Sequence, residues 1–268
     1  AITGASSGLG LAAATRLAGD QRDRFRSSLA TINDLMTGIV HFALSIAPYA
    51  VPAMIYSVIV KIGWDIVIAL GLFVVGAIAV MLLHLFGTMS IWLKFLAKRR
   101  PVETWKLLRP VLVTAFSTSS SAATLPAALA AAREDLGVKA PVAGFVLPLG
   151  TTMNMAGTAL YEGCVVLFVA QVFGIELGFA QQITLLLLAV LSAVAVAAIP
   201  GGSLPLIAGL LAAFGIPPEG IGIILGVDRI LDMTRTMVNV GADVVTTTVV
   251  DRYTKLGDET GTEAPKLR

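Results

Sequence analysis

Apolar residues fall in long runs along this chain rather than alternating with polar ones. Between Asp65 and Lys94 no other charged residue occurs, and about 20 apolar residues suffice for a helix to cross a bilayer. The sequence therefore predicts a membrane-spanning helix here. A longer helix is predicted before it, from about Phe25 to Lys61, kinked at its prolines.

Two later apolar runs are interrupted near their middle. The run from Val111 to Ala132 carries six hydroxyl side chains within eight residues, from Ser117 to Thr124. The run 181–218 is broken by Pro-Gly-Gly-Ser-Leu-Pro at 200–205. Irregular backbone at membrane depth occurs where it lines a cavity or is buried in protein. Each run is therefore predicted to form a helical hairpin with a polar tip.

Basic residues indicate the orientation of these segments. Most of the 19 Lys and Arg residues lie in four clusters, at 16–26, 94–109, 133–139 and 252–268. Cytoplasmic loops are enriched in Lys and Arg, so all four clusters are predicted to face the cytoplasm. The hairpin at 111–132 then enters and leaves from the cytoplasmic side, and the hairpin at 181–218 from the other side. Interrupted segments in matching positions of two halves are typical of inverted-repeat transporters.

Composition excludes a soluble or a disordered protein. Of the 268 residues, 56% are hydrophobic and 13% are charged, with a mean hydropathy of +0.87, whereas soluble domains carry about 25% charged residues. The predicted fold class is an all-α membrane protein, a multi-span helical bundle with two oppositely oriented re-entrant hairpins. The single cysteine, Cys164, excludes a disulfide framework and a cysteine-based zinc site.

Charged residues recur inside the last apolar segment, predicted to cross from about Ile221 to Val250. Five polar side chains there fall within a helical stripe about 80° wide. They are Asp228, Asp232, Arg235, Asn239 and Asp243, with Arg229 outside the stripe. A charge inside a bilayer costs about 2.5–3.5 kcal/mol per group, so these residues are predicted to be functional. The alternative is a self-compensating Asp–Arg network that only holds helices together.

The side chains of the stripe are suited to bind a charged substrate and a small cation. The planar guanidinium of Arg235 fits a carboxylate, and Asp232 could accept an ammonium group, so the pair suits a zwitterion with an extra carboxylate. Asn239 and Asp243 supply hard oxygen ligands, which suit a small cation such as sodium. Hydroxyls and helix N-termini at the hairpin tips could hold the second carboxylate.

Residues 3–10 offer a competing interpretation. Their sequence, Thr-Gly-Ala-Ser-Ser-Gly-Leu-Gly, is similar to the cofactor turn of short-chain dehydrogenases. No Tyr-x-x-x-Lys motif follows, and the remainder of the chain is typical of a membrane protein. We therefore predict no enzymatic activity.

Several motifs together resemble the dicarboxylate/amino acid:cation symporter family, which includes the glutamate transporters. The resemblance runs from about Leu9 to Arg252. The motifs, in order, are Ser-Ser-Ser-Ala-Ala-Thr-Leu-Pro at 119–126, Asn-Met-Ala-Gly-Thr-Ala-Leu-Tyr at 154–161, Pro-Gly-Gly at 200–202 and Asp-Met-Thr-Arg-Thr at 232–236.

The resemblance implies a homotrimer that works by an elevator movement. Residues 1–63 would be scaffold and trimerisation helices, residues 64–250 a mobile transport domain, and 251–268 a cytoplasmic tail. The transport domain would hold the sixth family helix, hairpin one (about 111–132), the seventh helix (about 140–172), hairpin two (about 181–218) and the eighth helix (about 221–250). The first three family helices would be absent from this sequence.

The resemblance also implies individual site residues. Arg235 would bind the side-chain carboxylate of the substrate and Asp232 its amino group. The other implied substrate-binding residues are Ser119, Ser120, Ser121, Thr158, Ile199, Pro200, Gly201, Gly202, Thr236 and Asn239. The implied sodium ligands are Gly150, Thr152, Asn154, Asn239 and Asp243.

One position departs from the family pattern. The family usually has an aspartate where this chain has Ala156, and that aspartate helps to bind a further sodium ion. Ala156 offers no side-chain oxygen. A lower sodium stoichiometry, or coupling to protons, is the resulting hypothesis.

Taken together, these features predict a secondary active symporter for L-aspartate or L-glutamate, driven by sodium (Na+) and without an organic cofactor. The alternatives are a carrier of C4-dicarboxylates or another amino acid, proton-coupled in one version, and an anion channel or non-transporting sensor on the same scaffold. The expected setting is a lipid bilayer, most simply a bacterial inner membrane, with no nucleic-acid partner.

Overall fold

The computed structural model describes residues 65–254 except 197 and 199, together with eight isolated earlier positions between 24 and 60. This part is helical throughout and contains no strand. Apart from those isolated positions, the predicted helix from Phe25 to Lys61 lies outside the described residues, as does the dehydrogenase-like segment 3–10.

The first continuous described segment is one long apolar helix, called the rod below. It comprises α1 (Asp65–Leu82), a π-helical turn (Leu83–Thr88) and α2 (Met89–Phe95). Its 31 residues have a mean hydropathy of 3.0 in their most apolar window, of which only 22% is buried. At 1.5 Å per residue the rod is long enough to cross a bilayer. Among the described residues, Ala140–Val172 also has the length and composition to cross.

The π-helical turn was not predicted from the sequence. It packs against the helix Asp228–Tyr253, since a Cβ atom on Gly241 would sit 2.5 Å from Cδ1 of Leu85. Single π-helical turns inside α-helices frequently lie at functional sites.

The first interrupted run forms a pair of helices, α3 (Pro101–Thr118) and α4 (Ser121–Ala130), which contact one another. Ser119 between them has a left-handed backbone (φ 50°), and Ser120 caps α4 by accepting a hydrogen bond from the amide of Ala123. The break thus falls within the predicted hydroxyl-rich tip. The first helix of the pair begins at Pro101 rather than near residue 111, because proline suits the first turn of a helix. The basic side chains between 101 and 111 do not end this helix, since long basic side chains can extend to water from a helix surface.

The next segment consists of α5 (Ala140–Met153) and α6 (Ala156–Val172), separated by Asn154 and Met155. Its break lies at the start of the Asn-Met-Ala-Gly-Thr-Ala-Leu-Tyr motif at 154–161. The second helix pair is α7 (Phe179–Ala195) and α8 (Leu204–Ala213), joined by residues 196–203.

The described part of the chain ends in a short helix, α9 (Ile221–Leu225), and a long one, α10 (Asp228–Tyr253). Helix α10 packs against α1 to α6 and occupies the centre of the bundle. Most of its residues are buried, including polar ones. The polar face of α10 is therefore enclosed by the breaks of the surrounding helices.

Candidate functional site

The polar stripe predicted on α10 is buried in the folded chain. Its five side chains leave at most 9% of their surface exposed, and Arg229, outside the stripe, is exposed. The helical spacing therefore predicted both the buried and the exposed positions.

Arg235 and Asp232 form an ion pair at the middle of this stripe. The Arg235 Nη2 and Nε atoms lie 2.5 Å and 2.8 Å from Asp232 Oδ1, and both side chains are almost completely buried. The second oxygen, Oδ2 of Asp232, accepts a hydrogen bond from the amide of Gly201 at 3.2 Å. The residues expected to bind the two charges of a substrate thus neutralise each other here.

Two residues of α6 hold Arg235 from another side. The ring of Tyr161 lies 5.6 Å from the guanidinium carbon, at a distance where a cation and an aromatic face attract. The Tyr161 hydroxyl donates to Asp228 Oδ1 at 2.5 Å, and Arg235 Nη1 donates to Thr158 Oγ1 at 3.4 Å. The guanidinium is therefore fixed by packing as well as by charge.

Asn239 connects α10 to the break before α6. Its Oδ1 atom accepts hydrogen bonds from the amides of Gly157 (2.7 Å) and Thr158 (3.3 Å), so it caps a helix that has no cap of its own. Its Nδ2 atom donates to Thr158 Oγ1 at 3.0 Å and to the sulfur of Met155 at 3.2 Å. A Cβ atom on Gly157 would lie 2.5 Å from the carbonyl oxygen of Arg235, so only glycine permits this approach.

A cavity of about 10 Å³ lies among these side chains. That volume holds about one water molecule and is far smaller than an amino acid. The cavity is lined by Ser119, Ser121, Met155, Thr158, Val196, Ala198, Arg235, Thr236 and Asn239.

The structure brings most of the predicted substrate-binding residues to this cavity. Six of the twelve line it, and Asp232 and Gly201 adjoin it through their hydrogen bonds. Ser120 does not line it; its hydroxyl donates to the carbonyl of Ala198 at 3.0 Å. Pro200 and Gly202 are half-buried without lining it, and Ile199 lies outside the described residues.

The predicted cation ligands are only partly assembled. Gly150 lies against Asp243, since a Cβ atom on Gly150 would be 2.6 Å from Asp243 Oδ1. This oxygen is buried and has no hydrogen-bond partner among the described residues. Asn154 Nδ2 instead donates to Thr246 Oγ1 at 3.5 Å, and Thr152 donates to Leu149 O of its own helix at 3.0 Å. A buried carboxylate oxygen without a donor suits a hard cation.

Four residues of the site were missed by the sequence analysis. Tyr161 could have been found, because it lies three and four residues after Thr158 and Gly157 and so shares their helix face. Met155, Val196 and Ala198 line the cavity as ordinary apolar residues, and no sequence signal distinguishes them.

Broken apolar helices around a buried pair of opposite charges are typical of helical membrane transporters. Residues 5–253 match the sodium:dicarboxylate symporter family, and the chain belongs to that family. The resemblance found in the sequence motifs is thereby confirmed.

Curated relatives agree with this assignment. The chain is 34% identical over 228 residues to the proton/sodium-glutamate symport protein of Bacillus subtilis. This match covers 83% of the chain and 51% of that protein. It is 32% identical over 225 residues to the mouse and human excitatory amino acid transporter 3, covering 84% of the chain and 43% of each relative. The chain therefore spans about half the length of the curated relatives it matches.

Proposed function

We propose that this chain forms the substrate-carrying part of a secondary active symporter that moves L-aspartate or L-glutamate together with sodium. The observation that carries the proposal is the enclosed pair of Arg235 and Asp232 beside Asn239. Relatives named as glutamate symporters and excitatory amino acid transporters support the same substrate class.

In this proposal the substrate takes over the charges of the ion pair. Its side-chain carboxylate binds the guanidinium of Arg235, with the Thr158 hydroxyl beside it, and its ammonium group binds Asp232. Hydroxyls of Ser119 and Ser121 reach the same cavity from the first helix pair. The substrate's remaining carboxylate would meet these hydroxyls and nearby amides.

Substrate entry requires the cavity to expand. The segment 196–203 borders the cavity and is held closed by two contacts, from Ser120 to the carbonyl of Ala198 and from Gly201 to Asp232. We infer that this segment is the cover of the site. Breaking two hydrogen bonds costs about 2 kcal/mol, which a bound substrate can offset.

Sodium would bind at the unpartnered oxygen of Asp243, next to Gly150. Asn239 and the backbone oxygens of Gly150 and Asn154 would complete its ligands, and Thr152 with carbonyl oxygens of the second helix pair would form a second sodium site. Ala156 leaves one family sodium site without its carboxylate, so we expect fewer sodium ions per substrate or a proton in place of one. Charge transferred per labelled substrate, measured in voltage-clamped proteoliposomes, distinguishes these cases.

The architecture proposed for the whole protein follows the family. The helix pairs α3–α4 and α7–α8 would be re-entrant from opposite sides of the membrane and belong to inverted repeats. Residues 64–250 would move as one body against a scaffold that includes residues 1–63, in an elevator movement within a homotrimer. A bacterial inner membrane is the simplest location.

The deciding experiment is uptake of labelled L-aspartate by the full-length protein in proteoliposomes, with and without a sodium gradient at fixed pH. Sodium-dependent uptake supports the proposal. Uptake that follows a proton gradient alone would support the proposed substrate but contradict the assignment of sodium as the coupled cation. Uptake of succinate without aspartate would favour the C4-dicarboxylate alternative.

A further inference from the structure

A groove of about 640 Å³ lies on the outside of the bundle, away from the polar cavity. It runs between α3 and the π-helical turn, and its wall residues include Phe86, Trp105, Leu112, Val113, Phe116 and Met237. The rings of Phe86 and Trp105 pack edge to face with centroids 5.4 Å apart, and Trp105 Nε1 donates to Ser90 Oγ at 2.8 Å. These contacts fix the shape of the groove.

Two basic side chains, Lys106 and Arg109, also line the groove. Both residues are exposed. Neither forms an ion pair or a hydrogen bond with any residue that the structure describes. Arg100, at the start of the same helix, is instead paired with Glu103 at 2.9 Å. The groove therefore joins apolar walls to two uncompensated positive charges.

The spacing along α3 matches the depth of one membrane leaflet. Helix α3 begins at Pro101, within the basic cluster 94–109 that is expected to face the cytoplasm. From Lys106 to Phe116 the helix rises about 15 Å, which is half of a hydrocarbon core about 30 Å thick. In that orientation the basic pair would lie at headgroup level, and the deepest aromatic residue, Phe116, would lie near the membrane centre.

We propose that this groove binds an anionic phospholipid of the cytoplasmic leaflet. Its phosphate lies on Lys106 and Arg109, and one acyl chain follows the wall formed by Leu112, Val113 and Phe116. Basic pockets beside membrane helices bind anionic headgroups in this way. A zwitterionic lipid would leave the basic pair without net compensation, and a free phosphate would leave the apolar wall uncovered. This site is separate from the proposed substrate site and does not depend on it.

The test uses Trp105 as a reporter inside the groove. Full-length protein that retains Trp105 as its only tryptophan is placed in phosphatidylcholine vesicles containing brominated phosphatidylglycerol or brominated phosphatidylcholine. Bromine quenches only nearby tryptophan, so the two titrations give the preference for the anionic lipid at the groove. Each basic residue near an anionic lipid contributes about fivefold.

We expect K106Q/R109Q to reduce this preference about 25-fold. The matched control K94Q/R133Q removes two exposed basic side chains outside the groove and should leave the preference unchanged. Val113→Phe, which fills the groove without altering charge, should reduce quenching by both lipids, whereas Leu107→Phe on the outside of the same helix should not. All six substituted positions are exposed in the structure, so folding is expected to survive.

Three results would overturn the proposal. An unchanged preference for the anionic lipid in K106Q/R109Q would show that these two residues do not bind the headgroup. An equal loss of that preference in K94Q/R133Q would show that it reflects the overall surface charge rather than the groove. Absence of quenching of Trp105 by either brominated lipid would show that protein, from another segment or a second copy, covers the groove.

Discussion

Arg235 and Asp232 neutralise each other across one turn of α10, beside a cavity too small for a substrate. A buried ion pair tolerates the loss of both partners far better than the loss of one, because the remaining charge is then uncompensated. A zwitterionic substrate replaces both partners at once. A ligand with a single charge type replaces only one, and this asymmetry would select for acidic amino acids over plain dicarboxylates.

Asp232→Asn should test this selection. The change keeps the side-chain shape but leaves the ammonium group of bound L-aspartate without its carboxylate partner, so L-aspartate affinity should fall roughly 100-fold or more. Succinate has no ammonium group to satisfy, and its competition against labelled L-aspartate should weaken much less. Competition assays in proteoliposomes provide the measurement. Equal losses for both ligands would contradict the assigned role of Asp232.

Local sequence patterns were sufficient to locate the breaks and the buried stripe. The hydroxyl-rich segment placed the connection at Ser119 and Ser120, because serine both tolerates a turn and caps the next helix. The helical period placed Asp228 and Asp243 on one buried face while leaving Arg229 exposed. These features depend on residues close in sequence.

Contacts between distant residues could not be predicted in the same way. Asn239 caps a helix that begins more than 80 residues earlier, and the π-helical turn accompanies the close packing of Leu85 against Gly241. The Asp232–Arg235 pair could have been anticipated from its three-residue spacing, but its closure by Gly201 depends on the tertiary fold.

Gly157→Ala should disrupt the contact between α6 and α10. The added methyl group would lie 2.5 Å from the carbonyl oxygen of Arg235 and 2.9 Å from Cβ of Val238, and the backbone atom cannot move independently. We expect a destabilisation of about 1–3 kcal/mol and a matching loss of substrate affinity as Arg235 shifts.

Gly163→Ala is the matched control in the same helix. A methyl group at Gly163 has no atom within 4 Å, and alanine favours the helix by about 1 kcal/mol. Thermal unfolding in detergent can be followed by tryptophan fluorescence. We expect the unfolding temperature to fall below that of the parent protein in Gly157→Ala and to rise above it in Gly163→Ala. Similar unfolding temperatures would contradict the proposed close approach at Gly157.

Gly150→Ala should weaken sodium binding rather than substrate recognition. Its methyl group would lie 2.6 Å from Asp243 Oδ1 and displace a buried carboxylate oxygen that has no hydrogen-bond partner among the described residues. The half-saturating sodium concentration for uptake should rise roughly tenfold or more, by analogy with other displaced metal ligands. Gly144→Ala in the same helix meets no atom within 4 Å and should leave the sodium dependence unchanged. A normal sodium response in Gly150→Ala would argue against Asp243 as a ligand.

Ser120→Ala should make the cover of the site open more often. The hydroxyl of Ser120 holds the carbonyl of Ala198, and one such hydrogen bond contributes about 1 kcal/mol, or about fivefold in the opening equilibrium. Opening can be followed by maleimide labelling of Val196→Cys, a buried position on the cavity wall, in a Cys164→Ala background. We expect labelling about fivefold faster in Ser120→Ala and unchanged in Ser117→Ala, whose exposed hydroxyl faces neither the cover nor the cavity. Equal labelling rates in both variants would show that segment 196–203 is not restrained by Ser120.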